Sequence, residues 1–238
     1  GNMLRPAPVS MKTRERTGSM KASERIFRSI ESQIADGTLL PGDPVDEEEL
    51  MAQFGVSRTP VREALLQLKT VGLLDGLPRG GAIVAKMNVT QLLAVCELLA
   101  ELEGLCARYA CERMTKAERE HLAELHRTSE SVVARDDEIA WQQANREFHE
   151  CLYAGSRNPY LRQEILRMRT RTQAYRNHAF GAVGRLPASF HHHALIVDAI
   201  LAGDREAAAR AAFGHLNPGE GLPGIKDLIM NLPGSMLG

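Results

Sequence analysis

The sequence predicts a mainly α protein in two parts: a small unit of three helices closed by a β hairpin, then a larger all-helical bundle. Three observations predict it. Apolar residues recur at helical spacing from residue 22 to residue 216, with breaks at Gly, Pro and capping residues. Between Leu73 and Ala85 the pattern changes to two short apolar runs, Leu73-Leu74 and Ala82-Ile83-Val84-Ala85, around the turn-rich GLPRGG. Ala and Leu dominate the second half, which favours helices.

The totals bound the classes. The chain has 238 residues, enough for one large or two ordinary domains, and is 44% hydrophobic and 25% charged, as folded soluble proteins are. A net charge of −1 still allows a locally basic face. No apolar run approaches the roughly 18 to 20 residues that span a bilayer. The longest contender, Leu92 to Cys111, is broken by Glu97, Glu101, Glu103 and Arg108. The N-terminal residues lack the basic-then-apolar order of a signal peptide, so a cytoplasmic protein without a membrane partner is expected. Cys96, Cys106, Cys111 and Cys151 match no zinc or CxxC spacing and are expected to be buried, reduced thiols.

Taken in order, residues 1–20 read as a flexible basic arm, with Arg5, Lys12, Arg14 and Arg16 against Glu15. Ile26, Phe27, Ile30 and Ile34 place a helix over 22–35, stopped by Gly37. LLPGDPV reads as a turn. Asp46 caps a second helix whose first turn, Glu47-Glu48-Glu49, suits the positive end of the dipole; Gly55 ends it. Thr59-Pro60 opens a third, stopped by Gly72, with Leu65, Leu66 and Leu68 facing the core. Helix, helix, tight turn, helix, hairpin is the order of a winged helix-turn-helix, placed at 21–86. Lys86-Met87-Asn88 is the linker, and Thr90 is expected to cap the next helix. A helical domain fills 87–217, with helices near 90–113, 116–134, 137–154, 158–178, 188–202 and 204–216. Residues 218–238 form a Gly/Pro-rich tail whose KDLIMNL portion is expected to dock as a short helix.

In a helix-turn-helix the second helix lies in the major groove with its first residues at the bases. Here that start is Ser57-Arg58-Thr59-Pro60-Val61-Arg62. Arg58 and Arg62, four apart, project from one face, and each guanidinium offers a fork to guanine O6 and N7. Ser57 and Thr59 suit phosphate, beside free N–H groups at the helix start. Arg79 and Gly80 at the hairpin tip suit the minor groove or backbone. The acids Glu47 to Glu49 weigh against a uniformly basic surface and are accommodated if that helix crosses the DNA backbone with its acids turned away. The plain alternative is that Arg58 and Arg62 are ordinary surface cations.

The stretch SFHHHALIVDAI sets His191, His192 and His193 in a row. Successive helical side chains turn by about 100°, so the three cannot share one direction. With Leu195, Ile196, Ala199 and Ile200 toward the core, His191 falls on the far side, and His192 and His193 flank the buried face.

Residues 22 to 85 resemble the DNA-binding domain of the GntR family of bacterial transcription regulators: GVSRTPVREAL, LLPGD and PRGGAIV match its pattern. The resemblance implies DNA contacts from Arg58, Thr59, Arg62, Arg79 and Gly80. Glu48 departs from it, standing where the fatty-acid-responsive branch has a DNA-contacting arginine. Residues 90 to 216 resemble the FadR-type, all-helical effector domain (FCD), through ANREFHECLYAGSRNPYL, HHHALIVDAILAGD and AAARAAFGHL. That family often holds a divalent metal with one Asp and three His. The matching positions are Asn145, His149, His193 and His215, with His192 in place of the usual Glu and His191 toward solvent.

Asn145 replaces the carboxylate by a neutral oxygen, so a bound +2 ion would stay uncompensated and favour an anion. Three imidazoles suit zinc, nickel or a similar divalent metal ion. A metal-free polar pocket is the alternative. Tyr153, His192, Arg167 and Arg171 are expected to line an effector pocket, with Arg169 a third candidate arginine. The family's usual arginine, four residues before Glu103, is Leu99 here.

The expected function is a ligand-responsive regulator: a homodimer binding double-stranded, palindromic operator DNA and sensing a small anionic metabolite, a carboxylate. The competing classes are a metal-dependent hydrolase and a metal-binding scaffold. For the first, His149-Glu150-Cys151-Leu152-Tyr153 begins like HExxH but lacks the second His.

Overall fold

A computed structural model describes residues 20–180, 185–216 and 232–238. Nearly all of the expected basic arm, and KDLIMNL up to its final Leu232, lie outside the described residues. The architecture is mainly α, in two units.

In the N-terminal unit α1 (Ala22–Asp36) buries Ile26, Ile30 and Ile34, four residues apart, and ends at Gly37 with φ +83°. Next come β1 (Pro44–Val45), α2 (Glu47–Phe54), α3 (Arg58–Thr70), β2 (Leu74–Gly76) and β3 (Ala82–Val84). Asp46 caps α2, its carboxylate accepting from the Glu49 N–H at 2.9 Å. The sheet is antiparallel in the order β1-β3-β2, with Pro44 opposite Ile83 and Leu74 opposite Val84. The end of LLPGDPV is therefore a strand as well as a turn. Two residues are too few to show alternation, and Pro44 is tolerated because β1 is an edge. Val61, Ala64, Leu65 and Leu68 seal α3 onto Ile26, Ile30, Leu74 and Val84. Leu66 does not join them and is 65% exposed; it lies one step of about 100° beyond Leu65.

The second unit contains α4 (Val89–Arg113), α5 (Lys116–Ala134), α6 (Glu138–Gly155), α7 (Pro159–Phe180), α8 (Arg185–Ala202) and α9 (Arg205–Leu216). Asn88, not Thr90, caps α4, in a reciprocal capping box with Gln91. Helix α4 runs through the middle and packs on α6, α7, α8 and α9. A Cβ at Gly104 would stand 3.1 Å from the Ala209 carbonyl, so glycine allows the close α4–α9 approach. Helix α8 begins ahead of the expected residue 188, since Pro187 sits in its first turn, where proline is tolerated. Ile196, Val197, Ala199 and Ile200 face the core, whereas Leu195 is 43% exposed, contrary to expectation. All four cysteines are free.

The units meet through more than their linker. Helix α7 packs on α1. A short 3₁₀ turn (Gly234–Met236) near the end of the chain returns to the linker, where Met87 and Leu237 form a parallel bridge. Among the described residues no helix is long and apolar enough to cross a membrane.

Candidate functional site

The first candidate surface is the start of α3. Ser57, Arg58, Thr59 and Arg62 are all exposed. Ser57 occupies the N-cap without a side-chain capping bond, so its hydroxyl is not spent on the helix. The two arginines already have partners. The Arg62 Nε lies 3.3 Å from the Glu47 carboxylate, the Arg58 Nε lies 3.6 Å from it, and the Arg58 guanidinium also donates to Glu48. Glu47 and Glu48 of α2 therefore face the start of α3. The tight turn sets the N-terminal ends of α2 and α3 side by side, and opposite charges pair there. Exposed pairs of this kind contribute about 0–1 kcal/mol, so a nucleic acid can displace them. Arg79 and Gly80 are exposed at the hairpin tip, where the Gly80 N–H donates to Leu77 O at 3.1 Å and φ is +88°.

The second candidate is a cavity of about 700 Å³ bordered by α6 and α7 and reaching Ser32 and Asp36 of α1. Asn145, His149, Tyr153, Arg169, Gln173 and Arg176 supply much of its chemistry. His149 from α6, His193 from α8 and His215 from α9 are 4%, 1% and 3% exposed, and one nitrogen from each lies within 4.8 Å of the others. Among the described residues no other set of three His, Cys, Asp or Glu side chains converges in this way. Burial holds the imidazoles of His149 and His193 well below their usual range, with charge repulsion from Arg169 and the neighbouring imidazoles adding to it. Burial and His192 take His215 down to about 3. All three are therefore neutral, the form that donates a lone pair.

The donor set fits a metal by a further test. Asn145 Oδ1, His193 Nε2 and His215 Nδ1 are buried with no hydrogen-bond partner. Each unsatisfied group costs about 1–3 kcal/mol, a cost that an ion held by them would relieve. The His run resolves as its phase requires: His193 is buried, His192 is half-buried with its ring 5.4 Å from that of His215, and His191 is exposed.

Beside the imidazoles sits a buried network. Glu103 on α4 accepts from Arg169 Nε at 2.6 Å and from the Tyr153 hydroxyl at 2.6 Å. Arg169 Nη2 reaches within 3.4 Å of His149 Nδ1. Of the three candidate arginines Arg169 is the one beside the imidazoles, already paired with Glu103, and Leu99 is a buried apolar residue. The expected pocket arginines are corrected. Arg167 is exposed and pairs with Glu164 at 3.1 Å, while Arg171 lies on the N-terminal unit, 3.3 Å from where a Cβ at Gly72 would be. Arg167 and Arg171 share one face of α7, and Arg169, two residues from either, faces the other way.

Sequence reading missed Arg176. It is 7% exposed, and its bonds go to neutral acceptors: Nε to Thr172 Oγ1 at 3.2 Å, Nη2 to Arg169 O at 2.9 Å and to Gln173 Oε1 at 2.6 Å. Burial, then the nearby Arg169, lowers its pKa to about 9, and among the described residues it has no ion-pair partner. The usable signal was its spacing, since Arg169 and Arg176 are seven apart and return to one helical face.

Comparison with known proteins agrees with both regions. Residues 22–84 match the family described as bacterial regulatory proteins, gntR family, and residues 94–218 match the FCD domain. A probable D-xylose utilization operon transcriptional repressor of Paenarthrobacter nicotinovorans is 28% identical over 207 residues, covering 86% of this chain and 89% of that protein. The galactonate operon transcriptional repressor of Escherichia coli is 26% identical over 217 residues, covering 82% and 93%. The solved structure of E. coli McbR/YncC superposes with a TM-score of 0.70 at 23% identity, covering 89% of this chain and 95% of that one, a likeness of fold.

Proposed function

The chain belongs to the GntR family of bacterial transcription regulators with an FCD domain, and from that premise we propose that it is a homodimer that releases or grips a palindromic operator according to a small carboxylate bound in the cavity. It is a regulator rather than an enzyme, as both matched domains and the operon repressors among its relatives indicate. Tyr153 stands where HExxH needs its second His, and its hydroxyl is engaged by Glu103.

The carrying observation is Arg176: a buried guanidinium that, among the described residues, bridges to no acid, on the wall of a cavity that His149 of the imidazole cluster also lines. Asn145, His149, His193 and His215 would hold a divalent ion, zinc or nickel. With neutral donors alone, the bound ion attracts an anion to the site. Arg176 would face the ligand's negative charge, and Gln142 and Gln173 its hydroxyls. Two relatives are named for a sugar and a sugar-acid operon, and a small hydroxy acid suits this polar wall.

On the DNA side Arg58 and Arg62 read guanine, Ser57 and Thr59 hold phosphate, and Arg79 and Gly80 steady the wing. Two-fold symmetry gives two half-sites about one helical turn apart. The cavity reaches α1, so occupancy can bias the reading unit directly.

Metal analysis and calorimetry test the pocket. His193→Ala should lose bound Zn²⁺ and with it the heat of D-galactonate binding, while His191→Ala keeps both. Equal metal content in the two variants would contradict the assignment of His193, and galactonate binding at full strength without metal would contradict the ion's role.

A further inference from the structure

The segment 232–238 lies against the interdomain linker in an arrangement that the family assignment does not require. Tyr175, 3% exposed on α7, carries it. Its hydroxyl accepts from the Met87 N–H at 3.0 Å and donates to the Met236 carbonyl at 2.8 Å. The Gly238 N–H donates to the Met87 carbonyl at 3.1 Å, so both backbone groups of the linker's central residue are engaged. Met87, Leu232 and Met236 are buried with Leu92, Cys96 and Ala174. The same segment touches the reading unit, where a Cβ at Gly42 would lie 3.2 Å from the Ser235 carbonyl.

We propose that Tyr175 is a positioning residue: its one hydroxyl ties segment 232–238 to the linker and so fixes the hinge between the two units. The packing of α7 on α1 docks the units at one place, and the tie at Tyr175 holds the three-residue linker at another, where backbone at a domain boundary otherwise has few partners. Burying Met87 between Tyr175 and the segment replaces solvent by two apolar partners and satisfies its amide and carbonyl.

The position of Tyr175 on α7 gives the hinge a controller. The next residue, Arg176, lines the cavity. Two further α7 side chains touch the reading unit, Arg171 at Gly72 and Asn177 at Gly37. A small shift of α7 on ligand binding would reach the linker, the tail segment and the reading unit together. Coupling of this kind needs one element whose position both sites bias, and α7 is that element. The hinge tie itself stands whether or not the proposed ligand is right.

Hydrogen exchange in the full chain tests it. Tyr175→Phe removes only the hydroxyl, so the ring keeps its packing. Both hydrogen bonds of the hydroxyl are then lost, and the amides of Met87 and Gly238 should exchange at least about tenfold faster, while those of α8 keep their rates. Unchanged protection at Met87 and Gly238, or equal acceleration in α8, would overturn the proposal. A second variant, Met236→Asp, pulls the segment off without touching α7. Trypsin should then cut after Lys86 faster than in the wild-type chain; an unchanged rate there would overturn it as well.

Discussion

Glu48 and Arg58 show how one residue resets a surface. The carboxylate stands where it both holds the guanidinium and would meet the negative field of a duplex. Freeing Arg58 costs little, because the pair is exposed and screened. Glu48→Ala is therefore expected to tighten duplex binding by about 0.5–1 kcal/mol at low salt, roughly two- to five-fold, an advantage that shrinks as salt rises. A titration of labelled duplex at two salt concentrations checks it, and weaker binding by the variant would show that Glu48 helps rather than opposes the reading helix. At this scale the sequence was informative where spacing decides. Arg58 and Arg62 share a face, and His193 rather than His191 points inward. It was uninformative about pairing: Glu103 and Arg169 are 66 residues apart, and no local pattern joins them.

Helices α4, α6 and α7 are tied at one buried point by Glu103, Tyr153 and Arg169. Breaking a buried pair on one side leaves the other charge unmatched. Glu103→Gln should lower unfolding stability by about 3–5 kcal/mol in urea titration. A change below about 0.5 kcal/mol would mean that solvent already relieves Arg169. Element boundaries were legible because caps and stops are chemically distinct. Asp46, Gly37 and Gly55 act where their types predict. Three misreadings share a cause: Leu66 and Leu195 each lie one position from a buried residue, and Thr90 lies two from the true cap. Apolar or capping type alone does not set helical phase, which the facing element decides. The edge strand β1 was invisible because its partner, β3, lies nearly forty residues downstream.

The whole molecule joins a reading helix to a charged cavity through α7, the linker and α1. Fold class and family were legible because both domains carry distinctive local motifs. The reach of the cavity to Ser32 and Asp36, and the return of segment 232–238 to Met87, were not. They depend on how two units dock, and docking leaves no periodicity in either. All of this serves regulation only if the start of α3 reads DNA.

The most direct measurement is the affinity of Arg58→Ala and Arg62→Ala for a duplex that the wild-type protein selects from a random library, across a salt series. Each variant should lose about 1–3 kcal/mol, a ten- to hundredfold weaker Kd, with relaxed preference at the guanine it reads. Variants that bind the selected duplex as tightly and as selectively as the wild-type chain would contradict the account.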